Sequence, residues 1–422
     1  MAIYTFEEIV EYARNHSLFY NELYKFVPYG EKDISKYPII NQTQFWEANS
    51  LENNRLLTGR VENGMVLKSG GTTGNPKYSY FTSEEWFEFV KISSKGFKAN
   101  RIKQGDKIAN LFYAGELYAS FLYITFVIEY ASIGVNFPIT GKAPLEEIID
   151  LIRKLNINII AGVPTTIMKV FEYIIKNHID DLRIDRILFG GESFYQDQRE
   201  TIKGFFPNID ISSILYASVD GGELGYVDST CGLDEHRIFD ETTILEIVDE
   251  ETGTVIQNVN IPGKIVITNL CRKLMPIIRY PAGDRAMWIE PKGTPNRKFK
   301  LLGRSEEGAR IGCATLYIQD ALKVIDYFKN EVHILNFQIV VTHYDNKDQG
   351  ILRLVSQETL EKPQELANKI VLKLYEERPM LKELVEQSMI HPIKVEWITS
   401  DMLETNKRTG KTKRVIDKRF EG

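Results

Sequence analysis

Asn158-Ile159-Ile160-Ala161-Gly162-Val163, then Pro164 to Asn177, then Arg186-Ile187-Leu188-Phe189-Gly190-Gly191-Glu192, is the stretch whose reading decides the fold. Two short apolar runs flank a segment with apolar residues at helical spacing, which reads as strand, helix, strand. The alternation extends upstream. Lys107 to Tyr113 reads as a strand, a helix starts at Leu117, Gly134 to Phe137 is a strand, and a helix starts at Leu145. Such repetition predicts right-handed βαβ units and a mostly parallel, buried sheet whose ligands sit beyond the strands' carboxyl ends. Residues 5 to 26 read as one helix. After residue 235 the pattern turns β-rich, as in Thr243 to Val248 and Gly263 to Thr268, and a helix near 318 to 329, a strand near 336 to 342 and a helix near 362 to 376 follow. The turn Gly303 to Gly308 is charged and glycine-flanked, and the domain hinge is expected within it, at about 303 to 307. The expectation is an α/β protein: a large N-terminal domain, 1–302, with mostly parallel βαβ sheets plus a β-rich lobe, and a small mobile C-terminal α+β domain, 303–422.

Composition narrows the function classes. The chain has 422 residues, too many for one comfortable core, and 52 Lys and Arg against 58 Asp and Glu give a net charge of −6. That balance provides no global field for nucleic acid or an anionic membrane, so any polyanionic partner must be held locally. The apolar run Leu117 to Ile128 is too short to span a bilayer, and the first residues lack the basic-then-apolar pattern of a secretory signal. Three widely spaced cysteines, Cys231, Cys271 and Cys313, argue against a disulfide framework and for a reducing, cytoplasmic setting.

The strongest chemical motif is Ser69-Gly70-Gly71-Thr72-Thr73-Gly74-Asn75-Pro76-Lys77. Glycines let backbone N–H groups approach phosphate oxygens, the hydroxyls add donors, and Lys77 adds a compact positive charge. The spacing is not that of a Walker loop, and Val66 to Lys68 before it and Tyr78 to Thr82 after it predict a hairpin. Four further segments follow in order. Gly190-Gly191-Glu192 ends a strand where small residues admit a flat purine. Tyr216-Ala217-Ser218-Val219-Asp220 joins an aromatic that can stack on a base to a carboxylate that can ligate Mg²⁺. Pro276 to Asp284 ends on an acid suited to ribose hydroxyls. Thr409-Gly410-Lys411-Thr412-Lys413-Arg414 offers a lysine in a basic segment.

With these five ordered motifs, residues 60 to 420 resemble the adenylate-forming superfamily, most closely its phenylacetate–CoA ligase-like branch, which includes coenzyme F390 synthetase-like and phenazine-biosynthesis acid-activating proteins. The resemblance implies that Ser69 to Lys77 is the phosphate loop, Gly190 to Glu192 the adenine-side strand end, and Tyr216 to Asp220 the aromatic–acid motif. It implies that Asp284 binds ribose, that Arg304 precedes the hinge, that Glu306 is the hinge residue, and that Lys411 reaches the carboxylate and α-phosphate during adenylation. It also implies ATP and Mg²⁺ as cofactors, a small carboxylic acid as substrate, and CoA or an acyl carrier as acceptor.

Three departures stand out. Val219 replaces the usual threonine, Ala217 the usual glycine, and Asp220 the longer glutamate, with Ser218 as a substitute hydroxyl. Arg310-Ile311-Gly312-Cys313-Ala314-Thr315 replaces the Arg-Gly-centred loop of the pantetheine tunnel. The chain is also shorter than many relatives, so a homodimer could complete the pocket. Read without the other motifs, Lys411 is one member of a solvated basic run, and Asp284 and Arg304 are a turn acid and a surface ion pair. Cys231, His236 and Cys271 are weakly spaced for zinc, which is not expected. Phe112, Tyr113, Tyr118, Phe121, Tyr123 and Phe126 read as core, with Tyr113, Gly115 and Glu116 as pocket candidates at a strand end. The expected function is ATP-dependent activation of an aromatic carboxylic acid as an acyl adenylate and its transfer to a thiol, with CoA favoured. The alternatives are transfer to an amine, carrier protein or reductase, and a non-catalytic nucleotide-binding protein.

Overall fold

The computed structural model describes residues 3–420 except 70–76, 116, 193, 195, 251, 305–307, 357–362 and 405–412. Its first sheet is the expected parallel one. Five strands lie in the spatial order Gly134–Pro138, Asp106–Asn110, Ile159–Gly162, Arg186–Phe189 and Asp210–Ser213, all parallel. Alternate side chains feed two cores: Ile108, Ala161 and Leu188 face one, and Ala109, Ile160 and Ile187 face the other. The helix Leu145–Leu155 shows how a crossover is made. It buries Ile148, Ile149 and Ile152, and carries Glu146 and Glu147 in its first turn with Arg153 and Lys154 in its last, the order that suits the helix dipole. The strand order reverses between Asp106–Asn110 and Ile159–Gly162, which opens a crevice at their carboxyl ends.

A seven-stranded antiparallel sheet follows, in the order Thr243–Val248, Gly263–Asn269, Tyr280–Trp288, Lys298–Arg304, Glu235–Ile238, Gly222–Tyr226 and Tyr216–Ser218. It begins at Tyr216, earlier than the change of pattern at 235 suggested, because Tyr216–Ser218 pairs back on Gly222–Tyr226. The expected hairpin is present as Met65–Ser69 against Lys77–Phe81, with Ser69 opposite Lys77. Two helices, Phe6–His16 and Leu18–Leu23, replace the single one expected over 5 to 26. Ser17 is extended between them, and its hydroxyl accepts from the Tyr20 amide and caps the second helix. The helix expected from Leu117 starts at Ser120, since Leu117 takes a left-handed φ of 64°.

Beyond residue 307 a short hairpin, Gly308–Ile311 with Ala314–Tyr317, leads to a four-stranded sheet ordered Lys394–Trp397, Lys347–Ser356, Ile334–Tyr344 and Val415–Asp417. Helices Ile318–Tyr327, Pro363–Glu377 and Pro379–Glu386 complete a separate core that includes Leu316, Ile339, Leu352 and Leu374. The segment 305–307, where the hinge and Glu306 are expected, lies outside the described residues. Among the described residues no helix is long and apolar enough to cross a membrane.

Candidate active site

A cavity of about 480 Å³ lies at the crevice of the parallel sheet and reaches the second lobe. Phe112, Val163 and Thr165 come from the strand ends at the reversal, Tyr216 to Asp220 from the edge of the antiparallel sheet, Lys77 from the hairpin, and Arg310, Gly312 and Cys313 from the second lobe. Sequence candidates far apart in the chain therefore converge on one space.

One end is polar. Asp284 Oδ2 accepts a 2.7 Å hydrogen bond from the Tyr216 hydroxyl, which brings together two residues expected to act on the same nucleotide. Arg304 stands directly opposite Asp284 in the strand register. Asp220 Oδ2 accepts from the Tyr280 hydroxyl at 3.1 Å, and Tyr280 in turn accepts from Trp46 Nε1 at 3.1 Å. Lys77 is buried, with Nζ 5.1 Å from the centre of the Trp46 ring. Behind this group the fully buried Arg272 donates to the backbone carbonyl of Asp220 at 2.5 Å and to that of Tyr80 at 3.0 Å, with its guanidinium 4.0 Å over the Phe81 ring. It thus ties the hairpin that carries the phosphate-loop candidate to the acid. Ser218 closes the Asp220 turn, its hydroxyl accepting from the Gly221 amide at 2.9 Å.

The strand end Gly190-Gly191-Glu192 borders the cavity on the side of the second lobe. Gly191 has φ 81°, a turn that glycine adopts without strain, and its carbonyl accepts from Arg310 Nη2 at 2.8 Å. Glu192 accepts from the Thr165 amide at 3.2 Å and the Thr165 hydroxyl at 3.1 Å, at the start of helix Pro164–Lys176. Burial pushes its carboxyl up to about 7, although Arg310 and the Thr165 bonds pull it down. Cys313 lines the same region, and burial, with Glu192 adding to it, raises its thiol to about 12.

The remaining wall is apolar and aromatic. Phe89, Phe112, Tyr123 and Ile124 are core residues that also line the cavity, and Val219 and Ala217 pack against the same cluster. The core reading of the aromatic stripe therefore holds for Phe112 and Tyr123, which are buried and also border the cavity, but not for Tyr118, which is 36% exposed and lines the cavity. Tyr113 bonds the Thr166 hydroxyl at 2.8 Å and does not line the cavity. Gly115 is also absent from its lining. Glu116, Gly70, Gly71, Thr72, Thr73, Gly74, Glu306 and Lys411 lie outside the described residues. On either side of residues 405–412, Lys413 N donates to the Glu404 carbonyl, and Gln338 Nε2 donates to the carbonyls of both Glu404 and Lys413.

The donor chemistry suits Mg²⁺ brought in with phosphates. Magnesium keeps its waters and needs one or two protein carboxylates beside phosphate oxygens, and Asp220 presents one at the cavity wall. Among the described residues no cluster of three or more His, Cys, Asp or Glu could hold a metal ion by itself. His236 is buried and bonds the Ser213 hydroxyl at 3.0 Å, and burial lowers its pKa to about 4.

Sequence reasoning missed Trp46, Tyr280, Arg272 and Arg310 as site residues. Trp46 lies upstream of every motif and carries no local signal. Two adjacent charged residues, Arg272 and Lys273, within the otherwise mostly apolar run Leu270 to Ile278 were the available hint for Arg272.

No protein-family model matches the chain. Over 254 residues it is 26% identical to an indoleacetate–lysine synthetase of Pseudomonas savastanoi, covering 59% of this chain and 59% of that protein. Over 244 residues it is 25% identical to a phenylacetate–coenzyme A ligase of Pseudomonas putida, covering 57% and 54%. The chain thus spans a little over half the length of these curated relatives. A 2-hydroxyisobutyryl-CoA ligase with 2-HIB-AMP and CoA in its thioesterification state superposes with a TM-score of 0.72 at 16% identity, over 98% of this chain and 88% of that one. The same enzyme in its postadenylation state gives 0.60, over 98% and 89%. The chain has the fold of the adenylate-forming CoA ligases and is related in sequence to phenylacetate–coenzyme A ligases.

Proposed function

We propose that the protein activates an apolar, aromatic carboxylic acid with ATP, releasing pyrophosphate, and passes the acyl group to the thiol of coenzyme A. The observation that carries this reading is one cavity with two characters: a charged end with Lys77, Asp220 and Asp284, and an aromatic end with Phe89, Phe112 and Tyr123. Attack of a carboxylate oxygen on the α-phosphorus brings two anions together, so cations and N–H donors must offset the charge. Lys77 and Lys411 supply the fixed positive charge, and Ser69 to Gly74 supply the phosphate donors. Asp220 is the ligand for Mg²⁺, which neutralises phosphate charge when bound. Asp284, held by Tyr216, accepts from the ribose hydroxyls, Arg304 stands beside it in register, and Gly190 to Glu192 flank the adenine. In the second step the thiol sulfur bonds to the acyl carbon and the phosphate oxygen of AMP departs with the bonding pair.

The reading divides the chain at 302/303 with Glu306 as the hinge, so that the two steps use two placements of the second lobe. The better superposition on a thioesterification state supports taking the present placement, with Arg310 against Gly191, as the acyl-transfer one. Three unpaired cysteines support a cytoplasmic setting. The likeness to an indoleacetate–lysine synthetase favours a second acceptor class, an amine, and Glu192, with a carboxyl at about 7, suits removal of a proton from such a nucleophile. The test is acid-dependent ATP–pyrophosphate exchange across aryl, hydroxyaryl, fatty and amino acids, with CoA or lysine added afterwards. Exchange with aryl acids followed by thioester on adding CoA supports the proposal, and amide on adding lysine selects the second acceptor. ATP binding without exchange for any acid would replace both with a non-catalytic nucleotide-binding protein.

A further inference from the structure

We propose that Trp46 and Tyr280 form a positioning chain that sets the Asp220 carboxylate for magnesium-bound ATP, which makes the N-terminal helix Gln42–Ala48 part of the nucleotide site. The inference rests on reading Asp220 as the magnesium-bearing acid. The direction of the chain is fixed by its donors. An indole N–H can only donate, so the Tyr280 oxygen accepts from Trp46 and its own proton is left for Asp220 Oδ2. A hydroxyl so engaged holds the carboxylate oxygen at one place on the cavity wall.

The surroundings make this chain stiff. Tyr280 is 2% exposed and packs on Phe45 with ring centres 5.2 Å apart. The helix that carries Trp46 is tied to both strands that meet at the site. Gln42 Nε2 donates to the Pro281 carbonyl at 2.6 Å, and Asn49 Nδ2, just past the helix, donates to the Tyr78 carbonyl at 2.7 Å. The main chain of Asp220 has a different anchor, Arg272. The chain therefore acts on the carboxylate and not on the fold of its turn. The Trp46 ring also faces Lys77, so one side chain touches the cation of the phosphate hairpin and, through Tyr280, the acid across from it. Asp220 is one methylene shorter than the glutamate usual at this position, and a short carboxylate held by an outside hydroxyl can keep a defined place where a long one would rely on its own rotamer.

Trp46→Phe keeps a packed ring and loses the N–H, and Tyr280→Phe loses only the hydroxyl. ATP affinity is measured by calorimetry in Mg²⁺ and in EDTA for wild type, both variants and the double variant, alongside thermal unfolding. The expected result is that each variant loses about fivefold or more of the Mg²⁺-dependent gain in affinity, with affinity in EDTA unchanged and the double variant no worse than the poorer single. In exchange assays KM for ATP rises while KM for the acid does not. Tyr280→Phe carries the test if Trp46→Phe does not fold. Variants that keep the wild-type Mg²⁺ gain, effects that multiply in the double variant, or an equal loss in EDTA would each overturn the proposal. Wild type that binds Mg²⁺-ATP but exchanges with no acid would remove the adenylation reading and leave the chain to be judged by binding. Wild type that binds no ATP would remove both.

Discussion

Replacing Glu223 with Gln is expected to stabilise the protein in mild alkali and to do nothing of the kind in acid. Glu223 follows the Asp220 turn on strand Gly222–Tyr226, is 2% exposed, and its Oε1 has no hydrogen-bond partner among the described residues. Burial pushes its carboxyl from 4.5 up to about 7, with the Thr242 hydroxyl, the Arg272 guanidinium and the Asn269 amide offsetting part of the rise. The native state therefore holds a proton between those values that the unfolded chain releases. Native stability falls as pH rises through that window, and the loss is complete above it. The gap between the two values corresponds to about 3 kcal/mol. Gln mimics the neutral form at every pH and avoids that loss. Arg272 keeps two acidic neighbours, Glu85 and Asp220, when Glu223 is neutral, so its own burial takes only part of the gain. The variant should be about 2 kcal/mol more stable than wild type near pH 8 and equal to it near pH 4, measured by urea unfolding at both. The same difference at both pH values, or a variant less stable than wild type in alkali, would refute the reasoning.

Arg272→Met should cost about 3–5 kcal/mol in urea unfolding, because it strands the buried carbonyls of Asp220 and Tyr80 beside buried acids, and Arg272→Lys should recover only part of it. Arg310→Ala should slow acyl transfer by about tenfold while leaving pyrophosphate exchange intact. With lysine as acceptor it should also move the acid limb of the transfer profile to higher pH, because Arg310 holds the Glu192 carboxyl down. Lys411→Ala should abolish adenylate formation and spare thiolysis of a supplied acyl adenylate; equal loss of both half-reactions in a folded variant would remove it from its role. Val219→Thr should raise KM for the acid in exchange assays by about tenfold, since it puts a hydroxyl into an apolar wall, and an unchanged KM would take Val219 out of the acid pocket.

The parallel sheet was legible because its strands are buried on both faces and its helices carry period-3.6 apolar stripes, so Ile159–Gly162 and Leu145–Leu155 fall where the pattern puts them. The hairpin around the glycine loop was legible for a similar reason: alternating residues lead into and out of it. What failed was local. Ser17 breaks an apparently continuous helix by capping a new one with its hydroxyl, and Leu117 delays another by taking a left-handed φ, and periodicity registers neither a cap nor a backbone angle. Among the residues that border the cavity, Asp284 and Asp220 could be put forward as candidates because acids after glycine-rich or aromatic turns have a chemical reading. Trp46 could not be, since it reaches the site through 234 residues of sequence separation and a tertiary hydrogen bond.

The substitution at Val219 follows from where the two ends of the cavity meet. Val219 and Ala217 belong to the apolar cluster of Tyr113 and Phe121, while the adjacent Asp220 belongs to the hydrogen-bonded group of Tyr280 and Trp46. The segment therefore changes character between consecutive residues, at the point where strand Tyr216–Ser218 gives way to the turn that carries Asp220. A threonine at 219 would put a hydroxyl on the apolar side, and the neighbouring Ser218 hydroxyl is already committed to the Gly221 amide. In the proposed reaction the α-phosphate then depends on Lys411 and the loop before Lys77 for its donors, and the methyl groups of Val219 serve the acid. On the proposed reading such an arrangement favours a flat, apolar acid over a short polar one, and the adenylation step would rest on residues brought in from outside the Tyr216–Asp220 segment.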